Sequence, residues 1–214
     1  MGGYFITFEG GEGSGKTTQI QKLADHLESH IEGCVPLVTR EPGGTASAES
    51  IRQLLVTGRA DRWRAPTEAM LMSASRHEHV VHVLRPALAA GRIVICDRYN
   101  DSTRVYQGIV GGVPGEDIEA LNRLACGDLV PDLTILLDMD VEEGLRRAGT
   151  RATTESRFES KGTGFHRRVR QAFLDLAGRE SDRFVIIDAA RDVDDIAADI
   201  VAAVMPRLVA SCLS

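Results

Sequence analysis

Basic residues are in deficit. The chain carries 25 Lys and Arg against 31 Asp and Glu, a net charge of −6, which excludes a general nucleic-acid-binding surface and leaves any basic cluster to serve a small anionic ligand. Cysteine is sparse: Cys34, Cys96, Cys126 and Cys212 stand far apart with no C-x-x-C spacing, so reduced, packed thiols are expected instead of a disulfide framework. No apolar run approaches the length of a membrane span. Met1-Gly2-Gly3 passes at once into a strand-like run, with no room for a signal peptide, and a cytoplasmic protein without membrane partners is expected. Aromatic residues make up only 5% of the chain, so the lone Trp63 stands out; it reads as an anchor packing a loop, with an oligomer contact as the other reading. No internal repeat and no Pro/Ser-rich linker divides the 214 residues, which suits a single domain over 1–214 able to bury about 70% of its unfolded surface.

What is present is an alternation of short apolar runs with amphipathic stretches. Tyr4–Phe8, Val35–Thr39, Arg92–Cys96, Leu133–Leu137 and Phe184–Ile187 are too short for good helices and rich in β-branched residues. Helices are expected at about 16–30, 47–57, 67–84, 101–109, 116–127, 142–148, 164–178 and 193–208, with Pro86 ending or kinking the third before a short continuation through Leu88. This is the pattern of an α/β three-layer fold, a five-stranded parallel sheet covered by helices on both faces. Three strands run into an acid, Asp97, Asp138 and Asp188, and ligands in such sheets gather at the carboxyl ends of strands. Residues from about 149 to 162 lack apolar periodicity and are basic and small, as a short lid would be.

Between the first strand and first helix lies Gly10-Gly11-Glu12-Gly13-Ser14-Gly15-Lys16-Thr17. Glycines let several backbone N–H groups converge on one phosphate chain, and the helix that follows adds its positive end. Lys16 then reaches the terminal phosphates, and Thr17 offers its hydroxyl to Mg²⁺. This is the phosphate-binding loop of P-loop NTPases in its proper context.

Asp97-Arg98 follows the third apolar strand, which in such a fold neighbours the P-loop strand. The Asp can position metal and the Arg can lie between two phosphates, the alternative being a salt bridge at a strand end. Arg52, Arg76 and Arg98 come from three separate elements and suit a monoester phosphate dianion. Gln107 offers both a donor and an acceptor, as reading a nucleobase edge requires. His77-Glu78-His79-Val80-Val81-His82 fails the H-E-x-x-H spacing, so no zinc is assigned.

Taken together, Phe-Glu-Gly-x-Glu-Gly-x-Gly-Lys-Thr-Thr at 8–18, Thr39-Arg40-Glu41-Pro42-Gly43-Gly44-Thr45, Asp97-Arg98-Tyr99, Tyr106-Gln107-Gly108 and Pro131-Asp132-Leu133-Thr134 resemble the bacterial thymidylate kinase family from Tyr4 to about Asp188. The resemblance implies Mg²⁺- and ATP-dependent phosphorylation of dTMP to dTDP by a homodimer. It implies that the P-loop, with Thr18 and Arg147, binds ATP, and that Thr17 and Asp97 hold metal. Glu12 would face the sugar hydroxyl side of dTMP, Arg52 and Arg76 its phosphate, and Arg98 would bridge donor and acceptor. Glu41, Pro42, Met72, Ser102, Thr103, Tyr106 and Gln107 would line the acceptor site.

The P-loop carries no arginine, so the resemblance implies one from the lid, with Arg147, Arg151 and Arg157 as candidates and Arg151 first among them. Two positions depart from the family pattern: Met72 replaces a common Phe, and Ser156 replaces an Asp that often precedes the lid Arg. Competing readings are another nucleoside monophosphate or deoxynucleoside kinase, and a P-loop regulator that binds nucleotide without turnover. A GTPase is disfavoured, since no Asn-Lys-x-Asp occurs.

Overall fold

The computed structural model describes residues 3–149, 157–158 and 161–212. Strands β1 (Tyr4–Gly10), β2 (Leu37–Arg40), β3 (Ile93–Asp97), β4 (Leu133–Asp138) and β5 (Phe184–Asp188) form one sheet in the order β2-β3-β1-β4-β5. Every pairing is parallel. All five expected strands are present, and the strand carrying Asp97 lies beside the P-loop strand, with Phe8 opposite Asp97. The acids expected just beyond three strands are their last residues. β1 reaches two residues further than its apolar run, taking in Glu9 and Gly10, because β4 continues to pair alongside it through Leu136 and Leu137.

Alternation along β1 divides the interior in two. Tyr4, Ile6 and Phe8 enter a core with Ile20, Leu23 and Leu27 of α1 (Lys16–His30) and Ile196, Ile200 and Val204 of α9 (Val193–Cys212). Phe5 points the other way, packing with Val94, Leu84, Tyr99 and Ala125. The period of two thus explains why a continuous apolar strand feeds two helical layers. Thr7 and Glu9 share the Phe5 face and are fully buried; Thr7 settles its hydroxyl on Thr134 at 2.8 Å, while Glu9 is left to do something else.

The remaining helices are α2 (Ala46–Val56), α3 (Ala65–His79), α4 (Arg85–Ala89), α5 (Asn100–Thr103), α6 (Gly115–Cys126), α7 (Val141–Ala148) and α8 (Thr163–Arg179). α2 is capped by Thr45, whose hydroxyl accepts the Ala48 N–H at 3.0 Å. Pro86 does not end the third helix. The chain widens into a π-helical turn over Val80–Leu84, in which the Arg85 N–H reaches Val80 O, and helix resumes with Pro86 in its first turn. That shift of hydrogen bonding accommodates the N–H that proline lacks. A second π-helical stretch, Arg104–Ile109, follows α5 and carries Tyr106 and Gln107 inward. Trp63 donates its Nε1–H to Leu54 O at 2.9 Å, as a loop anchor would. No helix among the described residues is long and apolar enough to cross a membrane.

Candidate functional site

A cavity of about 760 Å³ opens at the carboxyl ends of β1, β2 and β3 and joins the P-loop to the loops after β2 and β3. That volume matches a small-molecule site. At its floor the P-loop turns through left-handed glycines, including Gly13 at φ 70° and Gly15 at φ 86°. Gly13 has a second reason to be glycine: a Cβ there would lie 1.9 Å from Gly144 O of α7. The loop is therefore pressed against a helix on one side while Gly13, Ser14 and Gly15 line the cavity on the other.

Lys16 opens α1 and folds back over the loop, donating to Gly10 O at 3.2 Å and Gly11 O at 2.9 Å. Burial and the nearby Arg98 guanidinium lower its pKa from the usual lysine value, against the pull of Asp97 and Glu12. Thr17 lies one residue on, its hydroxyl 3.5 Å from Asp97 Oδ2. Asp97 Oδ1 is buried and takes no hydrogen bond from the described residues. A hydroxyl beside a carboxylate with an unsatisfied oxygen is the hard-oxygen set that suits Mg²⁺.

Arg98 is the hinge of the site. It is the only described non-glycine residue with positive φ, 67°, a conformation costing about 1–2 kcal/mol in an L-residue. The turn sends its side chain across the cavity to Glu12, Nη2 to Oε1 at 3.1 Å, and to Ser102 Oγ at 3.2 Å. Tyr106 approaches the same Glu12 oxygen at 3.4 Å, with its ring beneath the Arg98 guanidinium at 5.4 Å. Burial works to raise the pKa of Glu12, but Arg98, Lys16 and His166 together hold it below the ordinary value, so it is a carboxylate.

The backbone just past Arg98 is held by a residue outside the expected site set. Glu9 accepts the Tyr99 N–H at 2.9 Å and the Ser102 N–H at 3.1 Å on Oε1, and the Ser102 hydroxyl at 2.7 Å on Oε2. Its position is legible as an acid inside an apolar strand immediately before the P-loop. Burial pushes its pKa up to about 7, against Arg98 and with help from Asp101. A carboxyl whose folded pKa exceeds its unfolded one binds more protons when folded, so stability falls as pH rises through the window from 4.5 to about 7. Glu9→Gln retains an oxygen for both N–H groups and should flatten that fall. Melting temperatures at pH 5 and 7 for both proteins measure it; identical pH dependence would show that Glu9 does not titrate there.

On the acceptor side, Arg76 is 2% exposed. Its Nε donates to Glu41 Oε2 at 2.6 Å, and Nη2 donates to Tyr99 O and Thr103 Oγ1, both at 3.0 Å. Glu41 is fixed in turn by His79, Nδ1 to Oε1 at 3.0 Å, whose other nitrogen meets Thr39 Oγ1 at 2.7 Å. His79 is thus a packed helix residue. Arg52 binds Pro42 O at 2.8 Å. Glu41, Pro42, Arg52, Met72, Arg76, Ser102, Thr103, Tyr106 and Gln107 all line the cavity, as do Glu12, Gly13, Ser14, Gly15, Lys16, Thr17, Asp97 and Arg98.

Other expected site residues stand elsewhere. Gly10 and Gly11 form the near side of the loop, facing β4 and α8, and Thr18 is exposed on the first turn of α1. Arg147 bonds Glu143 at 2.7 Å and reaches Ala189 O at 3.4 Å, away from the cavity wall. Arg157 is only 1% exposed, plugged into the carbonyls of Leu55, Arg59 and Ala60 and paired with Glu68. A guanidinium so committed is a bolt in this conformation, not a finger extended toward the P-loop. Arg151 and Ser156 lie outside the described residues. Beside Arg157, Phe158 lines the cavity and meets Tyr106 edge to face at 5.9 Å.

The comparisons agree with this geometry. A sequence model of the thymidylate kinase family matches residues 8–200. The chain is 52% identical to a thymidylate kinase of Caulobacter vibrioides, over 96% of this chain and 98% of that one. It is 48% identical to a thymidylate kinase of Ruegeria pomeroyi, over 96% of each. The crystal structure of thymidylate kinase from Ehrlichia chaffeensis superimposes with a TM-score of 0.77 at 35% identity, covering 96% of this chain and all of that one. A P-loop on the middle strand of a five-stranded parallel sheet, an Asp-Arg turn beside it and relatives of about half identity over nearly the full length place this chain in the thymidylate kinase family.

Proposed function

We propose that the chain transfers the γ-phosphoryl group of ATP to the 5′-phosphate of dTMP, giving ADP and dTDP. The observation that carries the reading is the single cavity in which P-loop residues Lys16 and Thr17 and acceptor residues Arg76, Thr103 and Gln107 meet across Arg98. An oxygen of the dTMP phosphate attacks the γ-phosphorus while the bond to the β-phosphate oxygen breaks. That nucleophile is already anionic, so no general base is needed; the protein's task is alignment and charge neutralisation. Lys16 and the P-loop N–H groups hold the donor phosphates. Arg98, aimed between the two halves by its left-handed backbone, counters charge as it spreads over the transferring group. Thr17 and Asp97 would hold Mg²⁺, which there supplies neutralisation of the β- and γ-phosphate charge.

A coupled ADP-release assay over a panel of nucleoside monophosphates tests the reading. dTMP should give the highest kcat/KM, and turnover with a different monophosphate but not dTMP would overturn it. Within the panel, Gln107→Leu should weaken dTMP binding by about 1–3 kcal/mol, since base groups lose their partners in a closed pocket. ATP affinity should be unchanged, and equal losses for both nucleotides would make Gln107 structural.

The homodimer is part of the same proposal. It is supported by apolar side chains left outward on α3 and α6, Met70 at 53% and Leu124 at 77% exposure.

A further inference from the structure

The side chain that would read the base does not set its own orientation. Gln107 is 1% exposed, and its Nε2 donates to Glu68 Oε2 at 2.9 Å. Glu68, 3% exposed near the start of α3, also carries the Arg157 guanidinium on Oε1, with Lys161 Nζ at 3.8 Å. Between two cations it is a carboxylate, which accepts hydrogen bonds and donates none. The Gln107 atom facing it must therefore be the amide nitrogen. The flipped amide would set two acceptor oxygens against each other with no proton between them, leaving both buried groups unsatisfied.

We propose that Glu68 is a positioning residue that sets base selectivity by locking the Gln107 amide, and that lock is held in turn by Arg157. The inference rests on the reading of Gln107 as the residue that meets the base. With one Nε2 hydrogen spent on Glu68, the amide offers the carbonyl Oε1 and its remaining N–H to the cavity it lines. Oε1 accepts no hydrogen bond from the described residues. An imide edge, with N3–H beside a carbonyl as in thymine or uracil, meets that pair donor to acceptor. The N3 lone pair and amino group of cytosine meet it acceptor to acceptor and donor to donor. A free glutamine would turn over and serve either base; a locked one rejects the second.

The lock also connects distant chain segments. Glu68 stands on α3, Gln107 on the π-helical stretch after β3, and Arg157 close to Phe158, which lines the same cavity. Selectivity for the base is in this way tied to the seating of the segment that carries Arg157.

The test compares kcat/KM for dTMP and dCMP in the full-length enzyme. Glu68→Gln substitutes a side chain that can donate as well as accept, so it frees the Gln107 amide to turn. The dTMP:dCMP ratio should fall at least ~10-fold, mainly through KM, with KM for ATP changing less than ~2-fold. A general loss of packing would lower both ratio terms together and leave the ratio in place. Should Glu68→Gln fail to fold, Glu68→Asp retains the charge for Arg157 and Lys161 but withdraws the acceptor from Gln107, and the same fall is expected. A ratio unchanged in the variant that folds overturns the proposal. Gln107→Leu separates the two failures: if it collapses the ratio while the Glu68 variants do not, only the positioning role is lost. If Gln107→Leu also leaves the ratio unchanged, the reading of Gln107 as the base-facing residue falls with it.

Discussion

Lys16→Ala should lower kcat by about 10³-fold or more while leaving the fold intact. The ammonium is held by the Gly10 and Gly11 carbonyls, with Ser14 Oγ at 3.4 Å, at the mouth of the loop where phosphate charge must build up. Its value is greatest in the transition state, when charge spreads over the transferring group, so turnover should suffer more than ATP binding. Folding should be spared for a local reason. Lys16 contributes little to packing, because the apolar face of α1 is carried by Ile20, Leu23 and Leu27. Steady-state kinetics with a thermal melt checks both halves. A variant with near-normal kcat would remove the P-loop from the mechanism, and one that melts early would show that Lys16 also stabilises the loop.

How far the sequence reaches depends on whether a residue's role is local. The P-loop was legible because its chemistry lies within eight consecutive residues, between a strand and a helix that each announce themselves by period. The Asp97-Arg98 turn was legible as a charged pair ending an apolar strand, but the positive φ of Arg98 was not, since an arginine gives no hint of a left-handed backbone. Thr45 read as part of a motif and serves also as a cap.

Glu9 and Glu68 were not singled out because their roles are made by long-range contacts. Glu9 finds Tyr99 and Ser102 more than 85 residues away. Glu68, two residues after Pro66, reads as an ordinary acid favouring a helix N-terminus; only the arrival of Gln107 and Arg157 turns it into the centre of a buried network. The short continuation of helix past Pro86 was legible, but the π-helical turn that precedes it was missed for a different reason. A π-helical turn rearranges hydrogen bonds without any residue type that marks it.

The division of labour among the lid arginines leads to two opposite expected results. Arg157→Ala should destabilise the protein by about 3–5 kcal/mol, because it strips the main partner from a carboxylate that remains buried. Glu68 is 3% exposed and would be left with Lys161 at 3.8 Å, while the Leu55, Arg59 and Ala60 carbonyls would each lose a donor. In a chain of 214 residues that loss corresponds to roughly 10 °C in melting temperature. Arg151→Ala should do the reverse, lowering kcat by about 10²-fold or more with the melting temperature unchanged, as removal of a charge that enters the site only during transfer would. Arg151 is left by elimination: the P-loop supplies no arginine, Arg147 lies on Glu143 and Ala189, and Arg157 is held in its socket. Paired melts and steady-state kinetics on the two variants decide it. If Arg157→Ala loses turnover at an unchanged melting temperature, Arg157 must leave its socket during the reaction, and the finger and the bolt are the same residue in two states.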